Sequence, residues 1–218
     1  MFRDTISYDW FALSIIVFLI GLVLVKQLYR NKYIQFARLG FSETYFSEKL
    51  KESKFITNFE VLIFTLSHFV LAQFAYIFVQ KENLDISLNF NSYLNVLIIF
   101  LILTLFSVLK YYFEKAINFS LCNSSFLNYY LFYKQIIWSY AFFLGLPFLI
   151  FEVYSPFISV NFFIIGLVLI GLFFIINLLF FTYKNLSMLI KHWFYFILYL
   201  CTLEIAPYFF LYKIFAVD

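Results

Sequence analysis

The sequence predicts an all-α protein, a polytopic bundle of transmembrane helices with about six spans. Of its 218 residues, 65% are hydrophobic and only 12% are charged, against roughly 45–50% and about 25% in a soluble domain. The apolar residues form long continuous runs, whereas the strands of a membrane barrel alternate apolar and polar residues. Because backbone N–H and C=O groups must be satisfied inside the lipid, these runs favour helices.

The apolar runs give the approximate bounds of the predicted spans. A transmembrane helix needs about 20 residues, within a range of roughly 17–25. The six spans fall near residues 10–28, 59–79, 92–109, 135–152, 157–181 and 193–213. No convincing repeat or Pro/Gly-rich linker separates them. We therefore expect residues 1–218 to form one integral membrane domain.

The basic residues predict how the spans are oriented. Twelve of the fifteen Lys and Arg residues lie in or next to residues 29–58, 110–134 and 182–192, which we predict as cytoplasmic loops. Only Arg3, Lys81 and Lys213 belong to the other side. The sequence therefore predicts both termini on the non-cytoplasmic side and an even number of spans.

Two segments of the predicted cytoplasmic loops have a more ambiguous pattern. Residues 116–133 are uncharged but rich in Asn and Ser, which is typical of an interfacial or re-entrant segment and leaves a seventh span open. In the first loop, apolar residues recur at near-helical spacing among charges. Such a stripe fits a helix lying on the membrane surface or one packing on the bundle. The residues of the stripe are Phe41, Tyr45, Leu50 and Phe55.

The most informative polar residue is Glu204, in the middle of the sixth span. An ionisable group at the centre of a membrane helix costs about 2.5–3.5 kcal/mol on insertion scales and needs a partner. His68 lies about ten residues into the second span and Glu204 about eleven into the sixth, so both are near mid-bilayer. The two side chains are expected to meet, either as a proton relay or as a fixed polar contact.

Two further residues complete the candidate intramembrane site. Thr65 precedes His68 by three positions, on the same helix face. Pro207 removes the hydrogen bond to the carbonyl of Leu203, beside Glu204, and a kink there suits a hinge or an ion site. The alternative interpretation is structural, with Glu204 and His68 joining helices and Pro207 an ordinary kink.

Several functional classes receive no support from the sequence. The basic residues follow the loops rather than a patch, so nucleic-acid binding is not indicated. The two cysteines, Cys122 and Cys201, lack metal-ligand spacing. HExxH, GxSxG and the phosphate-binding loop pattern are absent. We expect no catalytic residues, no metal site and no cofactor.

The ends and the middle of the chain carry a family resemblance. RDTISYDW at residues 3–10, YKQIIW at 133–138 and YKNLSMLIKHWFYFILYLCTLEIAPYFFLYK at 183–213 resemble an uncharacterised family of polytopic inner-membrane proteins from Bacteroidota-type bacteria. The resemblance covers nearly the whole chain and includes Glu204 and Pro207. It implies residence in the bacterial cytoplasmic membrane but no established activity.

The sequence leaves two leading functions open. The first is a non-enzymatic accessory or scaffold subunit of a cell-envelope assembly, with a membrane or envelope protein or a second copy of the chain as partner besides the lipid bilayer. The second is a small proton-coupled transporter or channel that uses Glu204 and His68. An enzyme acting on a lipid or isoprenoid is a weaker third interpretation, because acids and histidines do not cluster in the sequence.

Overall fold

The computed structural model describes residues 9–39, 44–50, 56–81, 92–121, 125–154 and 162–186. These ranges form seven helices and contain no strand. The helices are α1 (Asp9–Leu28), α2 (Arg30–Ala37), α3 (Thr44–Lys49), α4 (Asn58–Lys81), α5 (Ser92–Leu121), α6 (Ser125–Tyr154) and α7 (Phe162–Lys184). The predicted all-α fold class is confirmed.

Five of these helices are long and apolar enough to cross a membrane. Their candidate spans are Trp10–Leu28, Asn58–Gln80, Ser92–Ala116, Asn128–Tyr154 and Phe163–Lys184. They overlap the first five predicted spans. Each contains 19 residues or more, which is close to or above the length that about 30 Å of hydrocarbon requires. The sixth predicted span, 193–213, lies outside the described residues. The total of six and the side of the termini stay predictions.

The structure differs from the sequence prediction in residues 110–134. α5 continues to Leu121 and α6 begins at Ser125, so this predicted loop is mostly the projecting ends of two long helices. Each has 30 residues, which at 1.5 Å per residue gives about 45 Å, longer than the hydrocarbon core. The described Asn and Ser residues of this segment, Asn118, Ser120, Ser125 and Asn128, thus lie in the ends of these two helices. No separate crossing is found in the described part of this segment.

The long helices alternate in direction along the chain. Trp10 at the start of α1 contacts Tyr76 near the end of α4, with 4.9 Å between ring centroids. At the other end of the bundle, Tyr133 near the start of α6 lies 4.4 Å from Phe181 near the end of α7. The described parts of the three loops rich in lysine and arginine, 29–58, 110–134 and 182–192, therefore lie at one end of the bundle. We call this the basic end; its cytoplasmic location stays a prediction of the positive-inside rule.

The first predicted loop folds onto the basic end as two short helices. Phe36 of α2 and Tyr45 and Phe46 of α3 are buried in a cluster with Phe59 of α4. Leu50 of the predicted apolar stripe is instead exposed, and Phe41 and Phe55 lie outside the described residues. We call α2 and α3 the cap. They pack on the bundle, which is one of the two alternatives that the sequence left open.

α4 and α6 form the centre of the bundle. In the most apolar 18-residue stretch of each helix, 50% and 44% of the residues are buried. Glycines let α7 approach α6 closely, as small residues commonly do between membrane helices. A Cβ added at Gly166 would lie 2.9 Å from the Cβ of Phe148, and one at Gly145 would lie 2.4 Å from the Cδ1 of Ile170. Gly171 has nothing within 4 Å of such a Cβ. Of the two α7 glycines, only Gly166 is a contact point.

The substitution Gly166→Ala is expected to destabilise the protein by about 1–3 kcal/mol, because the Cβ of Phe148 is held by the backbone and cannot move aside. Gly171→Ala is the matched control on the same helix and should be neutral or slightly stabilising, since alanine favours a helix by up to about 1 kcal/mol over glycine. Thermal unfolding of the purified variants in detergent measures the difference. Equal midpoints for the two variants would contradict the close α6–α7 packing.

Candidate ligand pocket and polar contacts of the basic end

A buried ion pair fastens the cap to α4. The Nζ of Lys49 in α3 lies 2.9 Å from Oε1 of Glu60 in the first turn of α4, and their side chains are 2% and 4% exposed. The hydroxyl of Tyr45 donates to the same oxygen at 2.8 Å. The backbone N–H of Thr57 donates to Oε2 at 2.6 Å, and the Thr57 hydroxyl also donates there. The Glu60 carboxylate is thus fully coordinated by donors.

A second ion pair joins α5 to α6. Lys134 donates to Oε1 of Glu114 at 2.8 Å, and the side chain of Glu114 is 4% exposed. The Nζ of Lys134 also lies 5.8 Å from the ring centroid of Tyr130, within reach of a cation–π interaction. Glu60 and Glu114 are therefore buried acids, each with a lysine partner.

Polar contacts continue deeper between the spans. In α4, Nδ1 of His68 lies 2.9 Å from the carbonyl oxygen of Phe64, and Nε2 lies 2.8 Å from the Ser107 hydroxyl of α5. A carbonyl can only accept, so Nδ1 carries the proton, and in the neutral ring Nε2 accepts from Ser107. Ser67 donates to Ser139 of α6 at 3.1 Å. One stretch of α4 therefore connects to both neighbouring helices.

The candidate intramembrane site predicted from the sequence is only partly described. His68 is buried, with 2% of its surface exposed, and its depth in the membrane stays a prediction. Thr65 is exposed and its hydroxyl donates to the Val61 carbonyl of its own helix at 2.9 Å, so it does not join His68. Glu204 and Pro207 lie outside the described residues. The pairing of Glu204 with His68 stays a prediction.

Two further hydrogen bonds join helices, one from Gln73 to α1 and one from Tyr133 to α7. The amide of Gln73 donates to the Ser14 hydroxyl of α1 at 3.1 Å, an expected type of interhelical contact. The amide of Asn177 donates within α7, to the Phe173 carbonyl, at 2.8 Å. Tyr133 of α6 donates to the backbone oxygen of Asn177 at 3.3 Å.

A cavity of about 630 Å³ lies between α4, α5 and α6 at the basic end. Its lining consists of Ile56, Glu60, Val61, Phe64, Val108, Tyr111, Tyr112, Lys115, Asn128, Leu131, Phe132, Gln135, Ile136 and Ser139. We call it the basic-end pocket. Lys115 and Asn128 lie towards the helix ends, and Phe64 and Ser139 lie deepest in the bundle. The pocket is thus polar at its mouth and mainly apolar inside.

The sequence did not predict this pocket. Its lining residues recur every three or four positions on α5 and α6, which is the spacing of one helix face. The spans are apolar on all sides, so periodicity does not distinguish the pocket face from the lipid face. The signal that could have found it is the pair of acids, Glu60 and Glu114, at the ends of neighbouring spans.

Within the described ranges, no group of three His, Cys, Asp or Glu side chains lies close enough to hold a metal ion. The described residues also include only one of the two histidines, His68. The expected lack of a metal, cofactor or catalytic site stays a prediction, because His192, Cys201 and Glu204 lie outside those ranges.

The fold and the distribution of polar groups define a helical, multi-pass membrane protein with a pocket between its spans. A family model described as Domain of unknown function (DUF4271) matches residues 11–215. The chain belongs to this family, which confirms the resemblance to an uncharacterised family. No curated protein and no solved structure matches the chain. The link to Bacteroidota stays a prediction.

Proposed function

We propose that this protein is a non-enzymatic accessory or scaffold subunit of a cell-envelope assembly in the bacterial cytoplasmic membrane. The observation that carries the proposal is that the buried acids and the buried histidine of the described spans, Glu60, Glu114 and His68, each have a partner on another helix. Lys49 binds Glu60, Lys134 binds Glu114, and both ring nitrogens of His68 are occupied. The two ion pairs and the hydrogen bond at Nε2 of His68 each join two helices, which suits a structural role.

The surface that would contact a partner is best sought on α5. Only 6% of the residues in its most apolar 18-residue stretch are buried. Large side chains such as Leu105 and Phe106 are more than 60% exposed. This face can contact lipid, the predicted sixth span or a helix of another protein. Positions on α5 therefore suit a photoreactive probe, while a buried position such as Ile137 serves as its control.

The experiment places a photoreactive amino acid at Phe106 or Ile137 and irradiates native membranes. A scaffold subunit is expected to give a discrete adduct with one protein from Phe106 and none from Ile137. An adduct of twice the monomer mass would identify a second copy of the chain as the partner. If affinity purification and irradiation return only the bare monomer, the scaffold proposal loses its support.

The second candidate function is a small proton-coupled transporter or channel. It is favoured by the position of His68, whose ring lies 3.9 Å from that of Phe64, a residue that lines the basic-end pocket. A proton route from this pocket to His68, and on to Glu204 as its predicted partner, would need the Phe64 side chain to move. If the protein carries protons across liposome membranes and Glu204→Gln abolishes this flux, the transporter function replaces the scaffold proposal. No flux above empty liposomes would exclude it.

A further inference from the structure

We propose that the basic-end pocket binds one anionic phospholipid from the surrounding leaflet. The phosphate would contact Lys115 at the mouth, and one acyl chain would fill the pocket between α4, α5 and α6. This binding site is independent of the scaffold role, because a lipid can occupy the pocket whether or not the protein has a protein partner.

The dimensions of the pocket fit one acyl chain. Its lining on α6 runs from Asn128 to Ser139, which at 1.5 Å per residue is about 16 Å. One leaflet contributes about half of the 30 Å hydrocarbon core, or roughly 15 Å. The volume of about 630 Å³ falls within the roughly 300–1,000 Å³ of ligand pockets. The pocket therefore has the depth and the room for a chain that reaches the middle of the bilayer.

The pocket is also accessible from the side of the bundle. Val61, Val108 and Tyr112 line it, and these side chains are between 40% and 63% exposed. All three lie within candidate spans, where the surroundings are acyl chains and headgroups rather than bulk water. A lipid chain can thus enter laterally between α4 and α5. A small water-soluble anion would leave the apolar interior of the pocket unfilled.

The charges around the pocket favour an anionic headgroup. Glu60 faces the pocket, but Lys49 neutralises it at 2.9 Å, and Lys134 neutralises the neighbouring Glu114 at 2.8 Å. Lys115 is exposed and has no ion-pair partner among the described residues. One uncompensated positive charge therefore remains at the mouth. Basic pockets between membrane helices on the cytoplasmic side are typical binding sites for anionic lipid headgroups.

The test uses the purified full-length protein in vesicles of equal parts phosphatidylcholine and phosphatidylglycerol. A trace of either lipid carries a photoreactive group on its acyl chain, and labelled peptides are mapped after irradiation. We expect labels on residues 108–115 and 131–139. Phosphatidylglycerol should label these peptides about fivefold more than phosphatidylcholine, which corresponds to the roughly 1 kcal/mol that one lysine near an anionic headgroup contributes.

Two pairs of variants separate the headgroup from the acyl chain. Lys115→Gln should abolish the preference for phosphatidylglycerol, whereas Lys26→Gln, at an exposed lysine of the same end that does not line the pocket, should retain it. Val108→Trp should fill the pocket and reduce labelling by both probes. Val23→Trp, on the exposed face of α1, should leave labelling unchanged. Lys115→Gln changes an exposed side chain, so it tests the proposal without disturbing the core.

Two results would overturn the proposal. The first is equal labelling of the pocket peptides by both lipids, with no effect of Lys115→Gln. The second is an absence of label from these peptides together with a crosslink from Val108→Cys to residues 187–218. That crosslink would show that the C-terminal part of the chain, rather than a lipid, fills the pocket.

Discussion

Replacing Lys49 with methionine is expected to lower the free energy of unfolding by about 3–5 kcal/mol, the usual cost of leaving one member of a buried ion pair alone. Lys49 and Glu60 are both almost completely buried, so water cannot replace the lost ammonium group. The Tyr45 and Thr57 donors remain, but they do not cancel the carboxylate charge. Unfolding of the purified protein in mixed detergent micelles, followed by near-UV circular dichroism, measures the loss.

The double variant Lys49→Met/Glu60→Gln provides the decisive comparison. It should recover much of the lost stability, because removing both charges leaves no isolated ion in the interior. Lys26→Met removes an exposed lysine from the same end and should change stability by no more than about 0.5 kcal/mol. A loss below about 1 kcal/mol for Lys49→Met would be typical of an exposed ion pair. It would contradict the burial of Lys49.

The positions of the five described long helices could be predicted from the sequence, but the lengths of α5 and α6 could not. Continuous apolar runs locate a helix because lipid imposes a minimum length on it. They do not show where a helix ends once it has left the lipid, since Asn and Ser are tolerated there. The predicted loop at 110–134 therefore contains helical residues up to Leu121 and again from Ser125.

The candidate site was harder to predict because it depends on how each helix is rotated. His68 stood out as an ionisable residue within an apolar span, and its burial follows from that cost. Its partner Ser107 is 39 residues away, and α4 and α5 have no clear polar stripe that would orient them. The Lys49–Glu60 pair likewise depends on the fold of the cap. Several lysines of the first loop were equally plausible partners for Glu60 from the sequence alone.

The cap provides the second large expected effect, through Phe36. This ring lies 5.5–6.3 Å from four other rings, those of Tyr45, Phe59, Tyr140 and Phe143. α2 has only eight residues and is not one of the candidate spans, whereas Phe59, Tyr140 and Phe143 belong to two of them. Phe36 therefore joins the cap to α4 and α6 through close packing of rings.

Phe36→Ala is expected to lower the free energy of unfolding by about 3–5 kcal/mol, because the cavity it leaves is surrounded by large rings that cannot all collapse into it. Ile34→Ala, on the same short helix, removes a side chain that is 38% exposed and should cost much less. Both variants are compared by the same detergent unfolding assay. If α2 instead lay on the membrane surface with Phe36 in the lipid, its truncation would weaken membrane contact and leave unfolding almost unchanged. The size of the Phe36→Ala effect therefore distinguishes a cap packed on the bundle from a helix resting on the bilayer.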